Sequence, residues 1–202
     1  MTWTTPGTAV TNTVITSAFW NTNIRDDLNA IYNNIWTKIS ILSGDSTNPI
    51  VFSSIPQIYS HLKFVGMLRS TIVATADSLI ILANAISNYY HEEFMVDGAG
   101  TYSFAGAAAN ATIHLTSAIN GSTAPANTYS SFEMIISKYS STIYFKSFLA
   151  RITRRIAATA ITDFLDINSS GWINAAPAIT QVSFDGSSRI DSISNITMYG
   201  MP

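Results

Sequence analysis

The chain has 202 residues, no cysteine, a formal net charge of -2, and 11% charged against 47% hydrophobic residues. That length provides for one or two domains with one sizeable core. The missing cysteine excludes disulfides, thiolate zinc and a cysteine nucleophile, and the near-neutral charge offers neither counterion release to nucleic acid nor polybasic attraction to a membrane.

The charged fraction is under half of the ~25% usual for a soluble domain, and Ser, Thr, Asn and Ala are abundant. A neutral, hydroxyl-rich surface has little to keep copies apart, so the composition points to a component of an assembly. The apolar stretches "LIILANAI" and "FAGAAANA" are too short to span a bilayer. "MTWTTPGT" lacks the basic start and apolar centre of a secretion signal, so synthesis in the cytosol is expected.

The first predicted element is a helix. From Thr16, a plausible N-cap, apolar residues fall at Phe19, Ile24, Leu28, Ile31, Ile35, Ile39 and Leu42. From Ile24 on, they recur every three or four positions, close to a heptad seam, and Gly44 supplies a C-cap. The spacing predicts a helix of about 26 residues, roughly 39 Å long. Its other faces carry Arg25, Asp26, Asp27, Asn33 and Asn34. So narrow a stripe suits a seam between identical helices, with Ile24, Leu28, Ile31, Ile35, Ile39 and Leu42 as oligomer contacts; packing on the chain's own domain is the alternative. Trp3, Trp20 and Trp36 flank this segment and are the expected anchors to a partner protein. The expected domains are therefore an anchor and stalk over 1–43, a hinge over 44–57 containing the turn-rich "SGDSTNP", and a β-sandwich over 58–202.

Beyond the hinge the period falls to two. Leu62, Phe64, Gly66 and Leu68 alternate with His61, Lys63, Val65, Met67 and Arg69; Ile113 and Leu115 alternate with Thr112, His114 and Thr116; Phe132, Met134 and Ile136 share a face. "STIYFKSFLARI" reads as one long strand, and "SLIILAN", "AITQVSF" and "NITMYG" as shorter ones. "DGAG", "NGSTAPAN", "NSSG" and "DGSS" read as turns. The expectation is a mainly β protein: an antiparallel, jelly-roll-like β-sandwich preceded by an N-terminal α-helix.

Chemistry-bearing residues are sparse. In "YYHEEFM", adjacent residues on a strand face opposite ways, so only His91 and Glu93 would cooperate on a cation, and no metal site is expected. The carboxylate pairs Glu92 with Glu93 and Asp163 with Asp166 are the only hydrolase candidates, and "ITDFLDINSSGW" reads more simply as a strand entering a turn. There is no "GxSxG" elbow, and no helix follows "DGAGT" to cradle phosphate. No catalytic residue and no cofactor are assigned. Arg151, Arg154 and Arg155 form the one basic cluster, read either as contacts to an anion or glycan or as charges guarding a strand end. Tyr89, Tyr90, Tyr139, Trp172 and Tyr199 offer stacking faces for sugars, with partial burial in the fold as the preferred reading.

"TWTTPGTAVTNTVITSAFWNTNIRDDLNAI" resembles the start of many tailed-phage virion proteins. "SHLKFVGMLRS", "ILANAISNYYHEEF", "IISKYSSTIYFKSFLA", "GWINAAPAITQVSF" and the terminal "ITMYG" resemble the hallmarks of a phage β-sandwich family found among tail and other structural genes. His61, Leu62, Arg69, Asn84, Asn88, Tyr89, Tyr139, Lys146, Trp172, Ile179, Thr180, Tyr199 and Gly200 fall where that pattern has them. "NAIS" and "DSISN" depart from the family's Asn-Gly-Asp and Gly-Ser turns, so no site built on those turns carries over. The resemblance implies a virion structural protein of fibre, spike or decoration type. Its expected partners are its own copies, as a homotrimer, and other capsid or tail proteins; a receptor-binding lectin recognising host glycans is the alternative.

Overall fold

The computed structural model describes residues 35–84, 89–155, 164–173 and 177–202. They form β1 (Thr37–Ser43), β2 (Ile50–Phe52), β3 (His61–Leu68), β4 (Ala76–Ala83), β5 (Tyr89–Asp97), β6 (Tyr102–Asn110), β7 (Ile113–Asn120), β8 (Ser130–Ser137), β9 (Lys146–Arg155), β10 (Phe164–Ile173), β11 (Val182–Gly186) and β12 (Asn195–Met201). The fold is mainly β. One sheet has eight strands in the order β1-β12-β3-β8-β9-β10-β5-β6, the other four in the order β2-β11-β4-β7, and every named pair is antiparallel.

The alternation read from the sequence is what the sheets bury. Leu62, Phe64, Gly66 and Leu68 point inward from β3, Ile113 and Leu115 from β7, and Phe132, Met134 and Ile136 from β8. Four rings join the layers: Phe64 and Phe132 of the larger sheet meet Phe52 and Phe184 of the smaller, the Phe64 and Phe184 centroids 5.0 Å apart at 61°. Edge-to-face geometry of this kind adds to the area term that dominates core stability.

The two sheets differ in width. β1, β12, β3 and β8 lie over β2, β11, β4 and β7, while the antiparallel pairs β9–β10 and β5–β6 continue the larger sheet past that body. β7, at the edge of the smaller sheet, packs across β9, β10 and β5. Beyond it, residues 101–106 of β6 and the turn before it are exposed.

Four expectations are corrected. The first is the helix's C-terminal third: Thr37–Ser43 is a strand paired with β12, and Ile39 and Leu42, assigned to an oligomer seam, pack on their own core. A register shift between Lys38 and Ser40 makes this possible, because one extra residue in a bulge places side chains three apart on the same face. Ile35 is exposed, Trp36 is half-buried just before β1, and Ile24, Leu28, Ile31, Trp3 and Trp20 lie outside the described residues. The second is the hinge: Ile50, Phe52 and Ile55 are core residues and β2 pairs with β11, so the sandwich begins at Thr37. The third is "NSSG", which is no turn; it lies inside β10, between β9 and β5. Pairing on both sides overrides its polar composition. Ile143, Tyr144 and Phe145, read as strand, form an exposed turn before β9, with the Ser141 hydroxyl accepting from the Ile143 and Tyr144 amides.

Candidate functional site

Several polar and glycine residues hold the frame together. Asn84, at φ 52°, accepts the Thr180 and Gln181 amides on its Oδ1 and donates from Nδ2 to the Ala178 carbonyl, tying the end of β4 to the approach to β11. The Arg69 guanidinium donates to the carbonyls of Ser122, Ala124, Pro125 and Thr128, ordering the β7–β8 connection. The buried Tyr89 hydroxyl accepts the Ala83 amide and donates to the Ala83 carbonyl, and that of Tyr139 donates to the Pro56 carbonyl. Gly200 lies against the ring of Tyr59, where a Cβ would overlap it. Buried Lys146 donates from Nζ to the Pro177 carbonyl.

His91 and Glu93 do share the inner face of β5, as the alternation required. Their partners are backbone atoms at the outer edge of β7: His91 Nε2 lies 3.2 Å from the His114 carbonyl, and Glu93 Oε1 accepts the Thr116 amide at 2.9 Å. A strand edge otherwise left with unpaired peptide groups is thereby capped by side chains from the opposing sheet. Burial pushes the Glu93 carboxyl up and the His91 imidazole down, each disfavouring its charged form. Among the described residues no three His, Asp or Glu side chains converge as a metal site would need. Glu92 faces the other side of the sheet, exposed, and Asp163 lies outside the described residues.

The arginines are not brought together as a basic patch. Arg151 points outward and donates from Nε and Nη2 to the two carboxylate oxygens of Asp166, at 3.2 and 2.8 Å. That fork raises the Arg151 pKa and occupies Asp166. Arg154 points inward and is buried, its pKa lowered to about 10 by desolvation. Arg155 is exposed on the face that Arg151 shares.

A concave site does exist, on the outer face of the two added strand pairs. Trp172 of β10 is in register with Tyr90 of β5, and their rings stack at 6.2 Å and 29°. Trp172 is 53% exposed. One step along the same face, Ser170 is in register with Glu92, and Glu92 with Gly106 of β6. Ser147 of β9 is in register with Trp172. Together they line an open groove of about 590 Å³, within the usual range for small-molecule sites. Of the aromatics expected to be partly buried, Tyr89 and Tyr139 are fully buried and Trp172 is about half exposed. Tyr90 and Trp172 are each visible in the sequence, but they are 82 positions apart, and only the β5–β10 register brings them together.

Comparison with family models, with curated proteins and with solved structures finds no match. The site is therefore read from its own geometry.

Proposed function

We propose that the chain is a structural and display subunit of a tailed-phage particle. It assembles as a homotrimer, its N-terminal segment fastens it to capsid or tail, and its sandwich is presented for contact. The strand order carries the reading. The rows β1-β12-β3-β8 and β2-β11-β4-β7, with successive strands of the body switching between them at every step except β4 to β7, follow the double Greek key of a jelly roll, an architecture of viral capsid and lectin domains. The remaining strand pairs, β5–β6 and β9–β10, are insertions into that body, and they are where the aromatic groove sits. Resemblance of the first thirty or so residues to virion proteins supports the particle assignment, and the small charged fraction supports assembly. The outer face also leaves Val65, Met67, Leu149 and Phe104 exposed, a surface suited to cover by neighbouring subunits.

No catalytic role is assigned, because Glu93 is taken up in capping β7 and Asp166 in holding Arg151. The role is mechanical: a fixed core, an attached end and an exposed sheet. Proteomics and antibody labelling of the purified particle test it. The chain is expected as a stoichiometric particle component with the label at discrete positions, and its absence from particles made by cells that express it would overturn the assignment.

A further inference from the structure

We propose that the groove between Trp172, Tyr90 and Glu92 is a binding site for the pyranose rings of a neutral glycan. The proposal deepens the display role by naming what the sandwich is displayed to.

Three observations converge. Trp172 and Tyr90 stack at 6.2 Å and 29° on the open face of a sheet, where Trp172 stays about half exposed. A flat aromatic surface beside open space suits the C–H face of a pyranose, which is apolar on its face and hydroxylated around its rim. The groove floor is kept low by Gly106, Ser147 and Ser170, so a ring has room beside the stack. Ser147 and Ser170 offer hydroxyls, and Glu92 offers two acceptor oxygens, the number needed for a pair of neighbouring sugar hydroxyls. Apolar platform and polar edge thus occur together in one groove.

Charge selects among glycans. Glu92 is exposed and has no ion-pair partner among the described residues, so a uronic or sialic acid carboxylate would meet a like charge. Of the cations on this outer face, Arg151 is held by Asp166 and Lys63 by Glu133, and Arg155 lies at the other end of β9 from the groove residue Ser147. Neutral hexoses and N-acetylhexosamines are therefore the substrate class. An open, shallow groove gives weak binding at one site, and several copies on one particle convert it to useful avidity.

The test is saturation-transfer NMR on the full chain with neutral trisaccharides (maltotriose, cellotriose, mannotriose and chitotriose) and with 3′-sialyllactose as the acidic comparator. At least one neutral trisaccharide is expected to bind saturably, with 3′-sialyllactose at least tenfold weaker. Trp172→Ala should weaken binding at least tenfold. Gly106→Val should do the same by filling the floor, where an added Cβ would stand 3.8 Å from Glu92 Cγ, an ordinary contact, and its unfolding curve should match the wild type's. Phe104→Ala, on β6 outside the groove, should leave binding unchanged. Failure of every neutral trisaccharide to bind, preference for the acidic sugar, or binding unaltered by both groove variants would overturn the site. Particle incorporation is a separate measurement, so loss of the glycan site leaves the structural role standing, and exclusion from the particle leaves the glycan site standing.

Discussion

His91 shows how much of the chemistry-bearing sequence is spent on architecture. Its ring nitrogen and the Glu93 carboxylate close hydrogen bonds that β7 cannot make with another strand. Burial depresses the His91 pKa, so the folded state prefers the neutral ring. With a folded value below the ordinary 6.5, the unfolded chain binds more protons in the window between them. His91 therefore contributes stability that is present above pH 6.5 and lost as pH falls through its folded value. The melting temperature is expected to drop on acidification from pH 7 toward 5, and His91→Gln, whose amide retains a donor for the His114 carbonyl, should flatten that slope. An unchanged slope in thermal melts would remove His91 from the account; His61, also lowered by burial and by Lys138, then remains as the source of any loss. Glu93 has the opposite sign. Its raised pKa contributes stability that is fully present below the ordinary 4.5 and lost as pH rises through the folded value, so Glu93→Gln should relieve a decline on the alkaline side of that window.

At the scale of elements, stability is concentrated where the two sheets meet. Phe184 touches Phe52, Phe64 and Phe132 from the centre of the cluster. Phe184→Ala should cost about 3–5 kcal/mol in denaturant unfolding, by lost transfer energy and the cavity left behind. An exposed site such as Phe104→Ala should change stability by no more than about 0.5 kcal/mol. The strands feeding this core were legible because each buries one face, and period-two alternation is the direct record of that. β1 was not legible, because its bulge spaces Ile39 and Leu42 as a helix would. β10 was hidden for another reason. Asn168, Ser169, Ser170 and Gly171 have the composition of a turn, yet Gly171 is there because a Cβ would collide with the Tyr90 carbonyl of the adjacent strand. The groove was illegible in a third way: its residues come from four strands, and no local pattern states which rows of a sheet will align.

For the whole molecule, the cross-strand rows fix where the chain enters. Thr37 pairs with Gly200, Gly200 with Leu62, Leu62 with Ile136, Ile136 with Phe148 and Phe148 with Gly171. The N-terminal segment therefore joins the sandwich at the same level as the groove, five strands or about 24 Å away across the sheet. Correcting Ile39 and Leu42 to strand shortens the proposed seam to Ile24, Leu28, Ile31 and Ile35. Association through that seam is the central claim, and the mass of the full-length chain in solution, measured by light scattering for the wild type and for Ile31→Asp combined with Ile35→Asp, tests it most directly. The account predicts a three-chain wild type and a folded single-chain double variant; a single-chain wild type, or a double variant that keeps the three-chain mass, would contradict it.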